Sequence, residues 1–234
     1  MKTLRQQVSA DGRGTLSARF LEMIDDPTFP CVGSKAALAR DAIEPCEFDR
    51  LGSRHNDASL LDALTAFARS IDAAPADDTT VRSFVALFDG PFDADEQRFE
   101  AILWSQLQRL HDLDTRRGTP WARDVSRDPD DPRFSLSLAG HPFFVIGLHP
   151  GASRIARRFE APAMVFNSHR QFDRLRADGR YAKMQAATRQ RDIALQGSIN
   201  PNLADFGTAP ETRQYSGRRV EADWRCPFHV RRPR

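Results

Sequence analysis

Lysine is nearly missing from this chain: Lys2, Lys35 and Lys183 are the only lysines among 34 basic residues. Arginine supplies the rest, and because the excess runs through the whole sequence it reflects base composition more simply than a choice of bidentate groups. Cysteine is scarce too. Cys31, Cys46 and Cys226 are an odd number in a chain that shows no signal peptide, which argues against a disulfide framework and predicts free thiols in a reducing, cytoplasmic setting. No apolar run is long enough to cross a bilayer, so no membrane partner is expected. A glycine-rich dinucleotide fingerprint is also lacking, and any electrons the protein needs must then come from a separate protein.

What is present is enough for a full core. The 234 residues are 40% hydrophobic, and their length suits one domain spanning residues 1–234, with a basic end, His229 to Arg234, expected to fray. The net charge of +2 hides a split. From Pro150 onward there are 17 basic and 8 acidic residues, so the carboxy-terminal part is strongly positive and the remainder negative. Helical spacing of apolar residues predicts helices over Leu16 to Ile24, Lys35 to Arg40, Ser59 to Ile71, Glu96 to Leu113, Arg170 to Arg176 and Arg180 to about Ile193. Short apolar runs bounded by turn formers predict strands at Ser83 to Phe88, Phe134 to Leu138, Phe143 to Leu148 and Ala163 to Asn167, the middle two joined as a hairpin through Ala139-Gly140-His141-Pro142. Arg116 to Pro132 reads as an exposed loop anchored by Trp121. The expected fold class is α+β, a single domain with a mostly antiparallel sheet packed by helices.

Four stretches carry candidate chemistry. The strand ending at Leu148 delivers His149 into a turn, and the segment after it is expected to be a helix with Arg154, Arg157 and Arg158 on one face, suited to an anion such as phosphate, carboxylate or a haem propionate. The bland alternative is a core or turn histidine beside a solvated arginine face. Phe166-Asn167-Ser168-His169 follows, with Ser168 expected as an N-cap. The third runs from Gln196 through Asp205-Phe206-Gly207, and the fourth from Glu211 through Arg218 to Trp224-Arg225-Cys226-Pro227-Phe228. Their non-periodic, polar composition suits one wall of a pocket, or else a loop pinned by Ile199, Leu203, Phe206, Tyr215, Trp224 and Phe228.

Taken in order, FPC, GLHPGASRIARRF, VFNSHRQFDRLR, QGSINPNLADFG, ETRQYSGR and WRCPF resemble the YqcI/YcgG family over Phe29 to Phe228. That family includes haem-dependent N-hydroxylases acting on guanidino groups of arginine-like amino acids. The resemblance implies haem b as cofactor, molecular oxygen as co-substrate, a guanidine or amine substrate and a separate electron-donating reductase. On that footing His149 is the first candidate for the iron ligand, with Cys31 and then Cys226 as rivals, since a thiolate pushes electron density onto iron. Arg154, Arg157 and Arg158 would hold propionates, Asp205, Glu211 and Arg218 would bind substrate, and Asn167 and His169 would orient oxygen or substrate. Two other classes compete: a non-haem iron site of His149 and His169 with Asp173 or Asp205, and a nucleic-acid or phosphate-binding protein. Against the last, the basic part lacks regular aromatic interleaving.

Overall fold

The computed structural model describes residues 14–75, 77–204 and 207–231. In chain order it contains α1 (Leu16–Asp25), α2 (Val32–Leu38), β1 (Ile43–Phe48), α3 (Asn56–Asp72), β2 (Ser83–Phe88), α4 (Glu96–Arg116), β3 (Leu136–Leu138), β4 (His141–Leu148), β5 (Ala163–Ser168), α5 (His169–Ala177), α6 (Arg180–Gln196) and α7 (Thr212–Tyr215). The strands form one sheet in the order β1-β2-β5-β4-β3. Only β1 and β2 run parallel, joined through α3; the other pairings are antiparallel, so the fold is α+β as expected.

Both faces of the sheet are covered, and side chains alternate between them. Phe84, Ala86 and Phe88 of β2, Met164 and Phe166 of β5, and Phe143 and Val145 of β4 pack under α3 and α4 with Leu64, Phe67, Leu103 and Leu107. Val85, Leu87, Leu148 and Ala163 point the other way, toward Phe20 and Ile24 of α1 and Ala37 of α2. At Gly147 the sheet meets α4 so closely that a Cβ would lie 2.7 Å from Phe99 and 2.8 Å from Leu103. The β3–β4 hairpin turns on Ala139 and Gly140 alone, both at positive φ, which is the geometry of a two-residue turn matched to strand twist; His141 and Pro142, expected in the turn, belong to the strand.

The element expected as an arginine-faced helix is a single 3₁₀ turn, Ile155–Arg157. The chain there closes on itself, the His149 N–H donating to the Arg157 carbonyl at 3.1 Å, and a continuous helix cannot form across that closure. β1 had no counterpart in the sequence reading. Trp121 anchors its loop as expected, buried against Phe134 and Phe228. The tail, expected to fray from His229, is tied to α4 as far as Arg231: the His229 N–H donates to Gln108 and the Arg231 N–H to His111, both at 2.8 Å, while residues 232–234 lie outside the described residues.

Candidate functional site

A cavity of about 310 Å³ lies between the sheet face opposite α3 and α4 and a set of covering segments. That is the low end of the roughly 300–1,000 Å³ of small-molecule sites. Its apolar lining comes from the strands, with Ile43, Val85, Phe144, Ile146 and Val165, and from Phe29 and Phe172. α2 contributes Cys31 at its N-cap, where the sulfur accepts from the Ser34 N–H at 3.4 Å. α6 supplies Tyr181, Met184, Gln185, Thr188 and Asp192, and Thr188 accepts from the Val32 N–H at 3.2 Å, fastening α6 to α2.

Six of the residues expected to carry chemistry meet here: Cys31, Arg154, Arg157, Asn167, His169 and Glu211. Asn167 is fixed by its carboxamide oxygen, which accepts from the Ser83 hydroxyl at 2.7 Å across the β2–β5 pair. His169 opens α5, buried, with Nδ1 3.3 Å from Asp173. Arg154 is buried and paired with Asp192 at 2.5 Å, and it donates to the Ser198 carbonyl at 2.7 Å. Arg157 donates to the carbonyls of Gly147 at 3.0 Å and Gln214 at 3.2 Å; burial pulls its guanidinium down to about 10, against the opposing influence of Cys31 and Asp192. A cation held on neutral carbonyls keeps its charge for an anion. Glu211 is buried, with its Oε1 2.5 Å from the Tyr215 hydroxyl. Burial pushes this carboxyl up to about 7, outweighing His169, Tyr215, Ser135 and Arg176, which favour its charged form.

The remaining candidates lie elsewhere. His149 follows the odd-numbered positions of β4 to the α4 side, its ring stacked on Phe99 with centroids 4.2 Å apart; burial holds it below its usual value, and it does not line the cavity. His149 and His169 are thus on opposite faces of the sheet, and the non-haem set that required both is not assembled. Among the described residues no group of three or more His, Cys, Asp or Glu side chains is placed to hold a metal ion. Arg158, expected to share a face with Arg154 and Arg157, instead donates back to the Ala152 carbonyl at 2.6 Å. Arg218 is a tail anchor, paired with Glu100 at 2.8 Å and Glu221 at 2.9 Å. Asp205 and Phe206 lie outside the described residues. Ile199 and Leu203, expected as pins, are 43% and 39% exposed, whereas Tyr215 and Phe228 are buried. Cys226 packs against the core under α4, where burial pushes its thiol up to about 12.

Ser168 occupies the N-cap position of α5 without capping it. Its hydroxyl meets His141 Nε2 at 2.7 Å, and His141 Nδ1 lies 3.2 Å from Asp72. The trio has the order of a nucleophile relay, yet Ser168 and His141 are 0% exposed and neither lines the cavity, so it serves as a buried strut between β4, β5 and α3. The basic excess after Pro150 is largely spent inside the protein. Arg154, Arg157, Arg158, Arg170, Arg213 and Arg218 all donate to carbonyls or carboxylates of the chain, which weakens the case for a nucleic-acid surface. No helix among the described residues is long and apolar enough to cross a membrane.

The sequence placed the α6 helix but not its role as a cavity wall. Tyr181, Met184, Gln185, Thr188 and Asp192 recur at helical spacing, but their mixed polarity gives no apolar stripe to read, and Asp192 alone among α6 residues is buried. No curated protein and no solved structure matches the chain. The model of the YqcI/YcgG family matches residues 20–229, an interval that takes in both sheet faces, the residues that line the cavity and nearly all of the tail, and the chain belongs to that family.

Proposed function

We propose that the cavity binds haem b and that the protein uses it with molecular oxygen to N-hydroxylate a guanidino or amino group of a small arginine-like molecule, in the cytoplasm, with electrons from a separate reductase. The observation that carries this reading is the meeting in one apolar cavity of a thiol, two arginines and a buried carboxyl, brought together from α2, the 3₁₀ turn and the start of α7. The donor chemistry fits a porphyrin. Cys31 would offer the iron a soft sulfur donor, Arg157, held on neutral carbonyls, suits a propionate, and the strand residues would give the macrocycle an apolar bed. When bound, the haem would supply oxygen activation at its iron, chemistry no side chain offers. The chain's part is to exclude water with Phe29, Phe144 and Phe172, to present the carboxamide of Asn167 and the imidazole of His169, and to hold the substrate's cationic head at Glu211.

Absorption spectra after haem supplementation test the proposal. The wild-type protein should show a Soret band and a thiolate-type carbon monoxide difference spectrum; Cys31→Ala should lose both, and His149→Ala should keep them. A colourless wild-type protein, or loss of the band in His149→Ala with retention in Cys31→Ala, overturns it.

A further inference from the structure

Among the described residues five large apolar side chains are exposed, and four of them, Ile155, Ile193, Ile199 and Leu203, belong to the segments that close the cavity. Their placement has an order. Arg154, Asp192 and Asn200 line the cavity, and the chain neighbour of each, Ile155, Ile193 and Ile199, is turned to solvent, while Leu203 reaches both. Hydrogen bonds draw these segments to one corner. The Ile155 N–H donates to Gln196 Oε1 at 2.7 Å, Arg154 donates to the Ser198 carbonyl at 2.7 Å, and Ile193 accepts from the Gly197 N–H in the last turn of α6. The outer side of the cavity wall therefore carries an aliphatic patch, and apolar surface gathered in this way marks a contact site.

The charge around the patch has one sign. Between residues 150 and 204 the acidic residues are Glu160, Asp173, Asp178 and Asp192, and each is held by an arginine of this chain. Arg158 beside the 3₁₀ turn, Lys183 and Arg191 of α6 and Arg219 of the tail are exposed and make no ion pair among the described residues. Arg219 is kept close to the Leu203 segment, because Asn202 donates to the Arg218 carbonyl and accepts from the Val220 N–H. A second copy of the chain docking here would set these cations against their own kind. A nucleic acid would meet no aromatic platform, since the patch is aliphatic. An acidic protein suits both the apolar centre and the basic flanks.

We propose that this patch is the docking surface of a small acidic one-electron carrier protein, which passes electrons across the wall it shares with the cavity. The inference rests on the haem-dependent oxygenation proposed above. Placing one atom of molecular oxygen in an N–H bond takes two electrons and two protons and leaves the other atom as water, so the carrier docks and departs twice per turnover. Small, weak, electrostatically steered interfaces suit such traffic.

Titration calorimetry of the full chain with a plant-type ferredoxin, an acidic one-electron carrier, tests the surface. Binding should be micromolar at low salt and at least tenfold weaker at about 0.3 M salt. Ile193→Glu and Ile199→Glu, each of which sets a carboxylate in the patch, should bind at least tenfold more weakly, whereas Arg54→Glu, which removes an exposed cation ahead of α3, should match the wild type. In haem-loaded protein under carbon monoxide, ferredoxin with its reductase and NADPH should reduce Ile193→Glu at least tenfold more slowly than the wild type, while dithionite reduces both alike. Equal binding or equal reduction in the patch variants overturns the proposal. So does a wild-type dimer that Ile193→Glu turns into a monomer in sedimentation, or anionic vesicles that pellet the wild type and not Ile193→Glu. Failure of ferredoxin to bind a protein that shows the Soret band removes the docking surface and leaves the oxygenase reading standing, whereas a colourless wild-type protein removes both.

Discussion

At Gly147 one hydrogen atom is all that the packing between sheet and helix allows. A methyl group there would press on Phe99 and Leu103, both 0% exposed, and neither has open space to retreat into. Phe99 also carries the His149 ring, and the Gly147 carbonyl holds Arg157, so the strain would reach both faces of β4. Overpacking of this kind costs about 1–3 kcal/mol, and Gly147→Ala should lower the urea midpoint accordingly with an unchanged slope. An unaltered midpoint would mean that α4 shifts away freely. The cysteines differ on the same local grounds. With its thiol pushed up to about 12, Cys226 is thiolate in only roughly one molecule in 10⁵ at neutral pH. Iodoacetamide at pH 7 should therefore spare Cys226 in the folded protein, as peptide mass mapping would show; modification there before unfolding contradicts the burial.

At the scale of elements, α6 is held to the body by a charge. Asp192, its buried residue, is gripped by Arg154, which also binds the Ser198 carbonyl, so one guanidinium fixes the end of the cavity wall and the chain that leaves it. Removing one partner of a buried pair strands the other, at roughly 3–5 kcal/mol. Asp192→Asn should accordingly speed amide exchange across α6 and residues 198–200 while α3 and α4 stay protected; uniform acceleration everywhere would mean that the pair supports the whole fold instead. The helix itself was legible over Arg180 to about Ile193, but its role as a cavity wall was not, because the face it turns to the cavity is polar. The elements whose apolar residues cover the sheet were legible too, α1, α3 and α4 by helical spacing and β2, β4 and β5 as short apolar runs, and α2 and α5 lie close to the helices expected there. β1 was not, since Glu44, Pro45 and Glu47 interrupt it; it lies at the sheet edge, where proline is tolerated. That His149 faces away from the cavity was not legible for a related reason. β4 is covered on both faces, so its unbroken apolar run carries no parity, and nothing in the sequence told which face position 149 would join. Cys31, Asn167 and His169 were legible because they sit where an element begins or ends, and the turn residues mark such ends.

For the whole molecule, two buried groups set opposite pH dependences. Glu211, with a usual value of 4.5 raised to about 7, binds a proton in the folded state that the unfolded chain has lost, so its contribution to stability falls as pH rises between those values. His141, with a usual value of 6.5 lowered to about 4, is the reverse: burial, opposed by Asp72, keeps it neutral while the unfolded chain binds a proton, so its contribution falls as pH drops from 6.5 to 4. At about 1.4 kcal/mol per unit each effect is worth roughly 3 kcal/mol, and between 4.5 and 6.5 they nearly cancel. His111 and His149, also held down by burial, add to the histidine side. Wild-type stability should therefore rise only gently with pH over that interval, and single variants should unmask the parts. Relative to wild type, Glu211→Gln should gain stability steadily from pH 4.5 to 7, by up to roughly 3 kcal/mol. His141→Gln, which retains a partner for Ser168, should gain as pH falls from 6.5 to 4. Urea unfolding of the three proteins at half-unit pH steps reads both differences, and a Glu211→Gln curve parallel to the wild type would show that this carboxyl is ionised in the folded protein.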